Sequence, residues 1–419
     1  MTTGKNRVLI NEDWTAVVIG ALIIVLSIAG MVLPAPAFGW ARLADLSAKV
    51  FSTQNLETIA IQFGVVYLLG IGGIYISGRP VKSFLVGFPL VYLLTMIALV
   101  ITGNRQMQSL NLEAVIFALA IGLVIGNVFR LPQWLKDSLS TELFVKIGLV
   151  LLGTTVIFSD VIKTGSLGLL QALVVVVAVW YFAYWICKRL QLDDEFSMMI
   201  SSAVSICGVS AAIATAGAIK GDSKKLSYVI SMVLVTAIPM MIFMPAIASY
   251  MGLSQEVTGA WLGGSIDTTG AVVASGSLVG DTALRISTIV KFSQNVLLGI
   301  AAFAISVYWT YTKHPNAADA TKRPTLKVIW ERFPKFVIGF IGASLLFSFI
   351  LSPEVIVPSK GSLKNLQTLW FALAFTSIGL ETRFGDLFNR NSRKPLYAFL
   401  TAQGFNIIIT LVVAWLLFG

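Results

Sequence analysis

The chain has 419 residues, of which 57% are hydrophobic and only 12% are charged, and its formal net charge is +10. This composition excludes a soluble globular protein and is typical of a polytopic membrane protein. The positive charge does not indicate a nucleic-acid-binding protein, because the Lys and Arg residues are scattered over short connectors and no folded basic domain contains them.

Apolar segments follow one another along the chain, each sized for a hydrocarbon core of roughly 30 Å. They are 14–34, 59–78, 82–102, 110–129, 141–158, 166–190, 196–220, 223–249, 256–280, 282–310, 331–352, 364–384 and 393–418. Residues 37–57 mix polar and apolar side chains, which predicts an amphipathic helix at the membrane interface. We therefore expect an all-α polytopic membrane protein with about 11–13 transmembrane segments. Residues 1–109 would form N-terminal scaffold helices with the interfacial segment, and residues 110–419 a transporter unit.

The positive residues lie mainly on alternate connectors, among them Arg79, Arg130, Lys188 and Arg390. By the positive-inside rule this side, which also holds the N-terminus, faces the cytoplasm of a bacterial inner membrane. If every segment crosses, the C-terminus lies in the periplasm. One re-entrant segment would place the C-terminus in the cytoplasm instead.

An internal repeat relates residues 147–161 to residues 373–387. The gapless alignment matches Gly153 to Gly379, Phe158 to Phe384 and Asp160 to Asp386. An odd number of crossings separates the two copies, so they should run in opposite directions through the membrane. Such inverted repeats are typical of secondary transporters.

Two apolar segments, 196–220 and 256–280, are interrupted near the middle by glycine and small polar residues. Broken backbone at membrane depth is viable only inside the protein or beside a wet cavity, and a pair of such breaks indicates a transporter's binding site. The two segments also end alike, at 217–223 and 276–282. Either Asp222 and Asp281 are helix N-caps in a shared device for ending the segments, or one segment does not cross the membrane.

The first break contains Ser205, Cys207, Gly208 and Ser210. A helix that restarts here would point its N–H groups into the protein and form an anion site, although a small-residue packing face would have the same composition.

The second break holds Asp267 in a neutral apolar run, and an ionisable group at that depth indicates a functional site. Alternatively, Asp267 caps a half-helix that begins at Thr268. The candidate residues around Asp267 are Gly264, Ser265, Thr268 and Thr269.

The helix 282–310 carries Lys291, Gln294 and Asn295 on one face. Lys291 could neutralise Asp267, act as counter-charge to an anionic substrate, or extend to the membrane surface.

These residues resemble the YeiH family, bacterial inner-membrane proteins usually labelled putative sulfate exporters, which is similar to the sodium/proton antiporter and bile-acid symporter superfamily. The resemblance covers roughly Leu110 to the C-terminus and rests on Ser205-Ile-Cys-Gly208, on Gly263 to Gly276, on Asp281-Thr-Ala, on Lys291 and on Ile378-Gly-Leu-Glu-Thr382. It implies a core of crossed broken helices that moves against a scaffold in an elevator-type cycle, within a homodimer.

Two positions depart from the pattern of the better-known family members. Asp267-Thr268 stands where they have a His-Glu pair, and Gln294 stands where they have an Arg. Both changes remove positive or protonatable groups. They disfavour sulfate and favour a singly charged or larger organic anion, such as a sulfonate or carboxylate, or a cation-coupled cycle.

Two functional hypotheses follow. The first is a secondary transporter that exports or exchanges a small anion, driven by Na⁺ or H⁺, because the sequence has no nucleotide-binding Gly-Lys-Ser loop. The second is a cation/proton antiporter that uses Asp267 and Lys291. An enzyme is not expected, because the sequence has no set of metal ligands and no His-Glu-x-x-His motif, and no cofactor is expected. The expected partners are the substrate, the lipid bilayer and a second copy of the chain.

Overall fold

The computed structural model describes residues 10–109, 114–313, 330, 333–382 and 393–419. Within these ranges the regular secondary structure is helical. The main helices, in chain order, are α1 (Glu12–Ile28), α2 (Thr53–Ile76), α3 (Val81–Thr102), α4 (Ala114–Val128), α5 (Thr141–Leu152), α6 (Phe158–Arg189), α7 (Asp194–Ser202), α8 (Val209–Ile219), α9 (Ser223–Tyr250), α10 (Gln255–Ser265), α11 (Thr269–Val279), α12 (Asp281–Lys313), α13 (Phe336–Leu345), α14 (Pro353–Glu381) and α15 (Arg393–Phe418). Shorter helical turns lie at Leu43–Asp45, Leu46–Val50, Arg105–Ser109, Gln133–Lys136, Gly153–Thr155, Ala203–Cys207 and Leu346–Ile350.

The expected all-α polytopic membrane fold is confirmed. Seven helical segments in the described ranges are long and apolar enough to cross a membrane: α2, α3, α6, α9, α12, α15 and the segment Gln133–Thr155 that contains α5. Four more apolar helical segments are shorter, namely Ala114–Val128, Val209–Ile219, Thr269–Val279 and Phe336–Ile350.

Residues 37–57 do not form the single amphipathic helix that the sequence predicted. Only the turns Leu43–Asp45 and Leu46–Val50 are helical before α2 begins at Thr53. Before these turns, a hydrogen bond to α3 holds the chain: Trp40 Nε1 donates to the carbonyl of Val100 at 2.6 Å. The Ser52 hydroxyl then accepts from Asn55 N–H and so caps α2.

The chain divides into two compact units, which are described separately. The first lies within Met1–Ser159 and Lys335–Arg383, and the second within Asp160–Pro334 and Phe384–Gly419. These units do not follow the predicted boundary at residue 109. The functional division into N-terminal scaffold helices and a transporter unit stays a prediction.

In the first unit, charged side chains at the start of α1 meet a lysine of α5. Lys146 Nζ lies 3.0 Å from carboxylate oxygens of both Glu12 and Asp13. Because a buried lysine needs partners for its charge, these two pairs fix α1 against α5.

Helices α5 and α14, which carry the two copies of the predicted repeat, run in opposite directions. Glu381, at the end of α14, lies beside Glu142 in the first turn of α5. Further along α5, Gly148 packs against the ring of Phe371, about three helical turns before the end of α14. The opposite directions agree with the predicted inverted repeat. The matched residues Phe384 and Asp386 lie outside the described residues.

The second unit contains nearly all of α6, together with α7 to α12 and α15. Its first broken segment folds back on itself. Lys225 Nζ, just after the segment, lies 3.0 Å from Asp193 Oδ1 and 3.1 Å from Glu195 Oε2, just before it. One continuous helix of this length would separate its ends by roughly 40 Å. Residues 193–222 are therefore a re-entrant hairpin, here called hairpin 1.

The second broken segment folds back in the same way. A Cβ placed on Gly280 would lie 2.8 Å from Gln255 Oε1, so the end of α11 meets the start of α10. Residues 255–280 form hairpin 2.

A segment whose two ends meet does not cross the membrane. The thirteen predicted segments therefore leave eleven that can cross, which corrects the reading in which both broken segments span. Only α9 lies between the hairpins, and it is long and apolar enough to cross a membrane, so we expect the hairpins to enter from opposite faces. The two segments do not share one capping device, because Asp222 caps α9 whereas Asp281 is the first residue of α12 and not its cap. The other alternative, that one segment does not cross, holds for both segments.

Candidate functional site

The tips of the two hairpins are the non-helical breaks that the sequence predicted. In hairpin 1 a π-helical turn, Ala203–Cys207, ends at Gly208, and α8 begins at Val209. In hairpin 2 the backbone leaves the helix at Ile266 and re-enters it at Thr269. Both breaks lie inside the segments that the sequence predicted to be broken, and a π turn keeps the first tip helical as far as Cys207.

The two tips touch each other at Gly208 and Asp267. Gly208 has φ +55° and ψ −109°, a conformation open to glycine and costly for other residues. A Cβ at this position would also lie 2.6 Å from Val233 Cγ1 and 3.0 Å from Asp267 Cβ. Glycine is thus required both for the turn and for the close approach of hairpin 2.

Lys291 on α12 joins the two tips and is only 1% exposed. Its Nζ donates to the carbonyls of Ile206 at 2.9 Å and Ile266 at 2.8 Å, and to Gln294 Oε1 at 2.7 Å. An ammonium group has three hydrogens, and these three acceptors use all of them. Lys291 therefore neither extends to the membrane surface nor pairs directly with Asp267.

Gln294 repeats this bridge one helical turn later. Its Nε2 donates to the carbonyls of Ser205 at 2.9 Å and Gly264 at 3.1 Å. The last carbonyls of the first helix of each hairpin have no intrahelical partner, and they carry the negative end of the helix dipole. A lysine and an amide on one face of α12 satisfy these carbonyls in both hairpins.

Asp267 is 2% exposed, and its Oδ2 has no hydrogen-bond partner. The hypothesis that it caps the next half-helix is wrong, because Thr268 is the N-cap and its hydroxyl accepts from Ala271 N–H at 3.3 Å. A buried acceptor without a partner is costly, which indicates that Asp267 has a role other than capping.

Four further buried polar residues of this unit were not predicted from the sequence. Gln403 Nε2 donates to the Ser265 carbonyl at 2.9 Å, and Asn406 Nδ2 donates to the same carbonyl at 3.2 Å and to that of Val204 at 3.0 Å. The other two are Gln171 and Thr410, which pack against Gly264. Amide side chains inside the apolar runs of α6 and α15 were the available signal, since polar groups at membrane depth need partners.

The second helix of each hairpin begins at the tip. No side chain caps α8 at Gly208, so the first N–H groups of this helix have no side-chain acceptor there. Ser210 is exposed, and Thr268 and Thr269 are partly exposed. Asn295 Nδ2 lies 3.4 Å from Thr269 Oγ1. These polar groups surround the positive ends of α8 and α11, which is the arrangement that binds anions.

The remaining predicted residues, Ser205 and Cys207, are buried inside hairpin 1. The Ser205 hydroxyl donates to the Ser201 carbonyl at 2.7 Å, within its own helix. Ser205 is therefore a packing residue of the tip, and its hydroxyl is not presented to a ligand.

Residues 86–398 match a family model described as Conserved hypothetical protein 698. Several curated relatives carry the name UPF0324 membrane protein. One from Rhodopirellula baltica is 41% identical over 81% of this chain and 64% of its own length. Another from Nitratidesulfovibrio vulgaris is 37% identical over 87% of this chain and 64% of its own length. The chain thus spans less than two thirds of the length of these relatives. No solved structure matches the chain.

Proposed function

Since the chain belongs to the YeiH (UPF0324) family of membrane proteins, we propose that it is a secondary active transporter that exports or exchanges a small anion by alternating access. The observation that carries the proposal is the meeting of two re-entrant hairpins whose second helices point their N-terminal ends at one place. Helix N-termini attract anions through unpaired N–H groups and through the helix dipole. Two re-entrant hairpins that enter the membrane from opposite faces and meet at one site also suit a site that a substrate can reach from either side of the membrane.

The anion would bind at the start of α8. The N–H groups of Val209 and Ser210 and the exposed Ser210 hydroxyl are donors there. Thr269 and Asn295 lie together at the start of α11. Lys291 contributes positive potential but no donor, because its three hydrogens are already bonded. Because most donors at the site are neutral and the Asp267 carboxyl group lies beside Gly208, the site suits a singly charged organic sulfonate or carboxylate better than sulfate.

One observation favours a second candidate function, a cation/proton antiporter. Asp267 is a buried carboxylate whose Oδ2 has no hydrogen-bond partner, so it can take up a proton or a cation. If the protein is such an antiporter, transport requires Asp267, and no anion binds at the N-terminal end of α8.

Elevator-type movement within a homodimer, the bacterial inner membrane as location and a cytoplasmic N-terminus belong to the same proposal. It includes no catalytic step and no cofactor other than the coupling ion.

The test is a thermal-shift screen of the purified protein against inorganic sulfate and a series of organic sulfonates and carboxylates. An anion that binds the native state raises Tm in a concentration-dependent way. Ser210→Asp places a negative charge at the start of α8, where it suits the helix but repels an anion. We expect the stabilisation by anions to disappear in Ser210→Asp and to persist in the isosteric neutral variant Ser210→Asn.

If no anion raises Tm, or if Ser210→Asp responds like the wild type, the anion proposal fails. Stabilisation by Na⁺ or by pH that requires Asp267, in the absence of any response to anions, would establish the antiporter instead.

A further inference from the structure

A buried acceptor without a donor lies at the start of α11. Asn295 on α12 is 6% exposed, and no residue in the described ranges donates to its Oδ1. The same amide group donates through Nδ2 to Thr269 Oγ1 at 3.4 Å. Oδ1 and Nδ2 are bonded to one carbon, so Oδ1 also lies near Thr269, the first residue of α11. Buried acceptors in proteins are normally paired, so this one indicates that a donor comes from outside the chain.

The position of Asn295 follows from that of Lys291. The two residues are four apart and share one face of α12. Lys291 donates to a carbonyl at the tip of hairpin 2, and Asn295, one turn later, reaches Thr269 just beyond that tip. A Cβ on Gly208, where α8 begins, would lie 3.2 Å from the Asp267 carbonyl oxygen, two residues before Thr269. Asn295 thus borders the place where the starts of α8 and α11 approach each other.

The amide group of Asn295 has one polar atom without a partner in either orientation. Exchanging its oxygen and nitrogen would let the Thr269 hydroxyl donate to Oδ1, but would leave both hydrogens of Nδ2 unpaired. The N-terminal end of α11 is positive, so it favours an oxygen over these hydrogens. Asn295 therefore offers an acceptor at this place.

We infer that Asn295 is a specificity-determining residue, whose Oδ1 accepts a hydrogen bond from a hydroxyl group that the substrate carries near its anionic group. The inference rests on the proposed function, because it names the class of anion that the site takes. The anionic group binds to the first N–H groups of α8 or α11, which have no partner within their helices. The hydroxyl group then satisfies Oδ1. Hydroxycarboxylates and hydroxysulfonates are anions of this class.

Other ligands fit this acceptor less well. An anion that carries no donor leaves Oδ1 unpaired, which weakens its binding. A metal ion or a substrate ammonium group would meet the positive end of α11. In the part of the chain that the structure describes, no three His, Cys, Asp or Glu residues come together as a metal site. A neutral hydroxyl group avoids both penalties.

The experiment compares anions that differ by one hydroxyl group. The pairs are 2-hydroxypropionate with propionate, and 2-hydroxyethanesulfonate with ethanesulfonate. The concentration dependence of Tm of the purified full-length protein gives each dissociation constant. In at least one pair, we expect the wild type to bind the hydroxylated anion about tenfold or more tightly than its partner, because a site built around a buried acceptor rejects a ligand without a donor. This comparison requires no variant.

In Asn295→Leu the preference should disappear. The hydroxyl group loses its acceptor, whereas the plain anion keeps the helix N–H groups and should bind as in the wild type. Asn295→Ala removes the same amide group without adding bulk and should give the same result.

The matched control is Ser293→Ala, on the same helix. The Ser293 hydroxyl lies 3.0 Å from the Ile289 carbonyl of its own helix and 3.3 Å from the Gly165 carbonyl of α6. These contacts leave the hairpin tips untouched. The variant should therefore keep the preference of the wild type for the hydroxylated anion.

The inference is overturned if neither hydroxylated anion binds the wild type more tightly than its partner, or if the preference persists in Asn295→Leu and Asn295→Ala. An equal loss of plain and hydroxylated anions in both variants would also overturn it, because the amide group would then bind the anionic group through Nδ2. In each of these cases anions still raise Tm, so the transporter proposal stands. If no anion raises Tm, the proposed function fails and the inference fails with it.

Discussion

At the scale of single residues, Lys291 connects the two hairpins by donating hydrogen bonds to both of them. The sequence suggested an ion pair with Asp267, but the ammonium hydrogens all go to oxygens of Ile206, Ile266 and Gln294. The lysine thus acts on the C-terminal ends of two helices, where a positive charge is most favourable.

Lys291→Met should lower the free energy of unfolding by about 3 kcal/mol or more, because two buried carbonyls lose a charged donor. Denaturant or thermal unfolding in detergent would measure this loss. Adding Asp267→Asn should recover less than half of it, since the two side chains form no direct pair. Full recovery in the double variant would show that the lost interaction was an ion pair after all.

Gly208 offers a second test at this scale. Gly208→Ala should cost about 3 kcal/mol or more, from the strained backbone and from the contact with Val233. The control is Gly404→Ala in α15, where an added Cβ meets no atom within 4 Å. That variant should be neutral or slightly stabilising, because alanine favours helices. Equal losses in the two variants would contradict the geometry of the tip.

At the scale of elements, the sequence predicted the breaks but not the course of the chain through them. The glycines and small polar residues at 203–210 and 263–270 mark where a helix cannot continue. Whether a broken segment then crosses or returns depends on contacts between its two ends, such as Lys225 with Asp193. These contacts lie far apart in sequence and leave no periodic pattern. The same limit hid Gln403 and Asn406, whose partners are carbonyls of distant hairpins.

The hairpins make a prediction about sidedness. Single cysteines would replace exposed residues, Gln191 and Lys220 for hairpin 1 and Met251 and Asp281 for hairpin 2, after removal of the buried natural cysteines. A membrane-impermeant thiol reagent should label the first pair from one face and the second pair from the other. Labelling of Gln191→Cys and Lys220→Cys from opposite faces would mean that hairpin 1 crosses.

At the scale of the whole molecule, two hairpins leave eleven segments that can cross. If all eleven cross, their odd number would put residues 10 and 419 on opposite sides of the membrane, as thirteen crossings would. The positive-inside rule predicts the direction of the first crossing. Positive residues such as Arg79 and Lys188 lie in alternate connectors, and so on the same side of the membrane as the N-terminus.

Alkaline phosphatase fused after residue 419 should therefore be active in the periplasm. The same enzyme fused after residue 191 should be inactive, because that connector carries Lys188 and Arg189 and is therefore expected to face the cytoplasm. A fluorescent protein at the same two positions should give the opposite pattern. An inactive phosphatase at residue 419 would require an even number of crossings.

The bridge formed by Lys291 also sets how often the tips can part. Separating them would leave the carbonyls of Ile206 and Ile266 without donors, at a cost of about 3 kcal/mol. A state that lies 3 kcal/mol higher is populated by fewer than about one molecule in a hundred, since each 1.4 kcal/mol is a factor of ten. Parting of the tips is then a minor state, and the tips stay joined in most molecules. In the proposed transport cycle, the two hairpins and α12 should therefore move together with the anion.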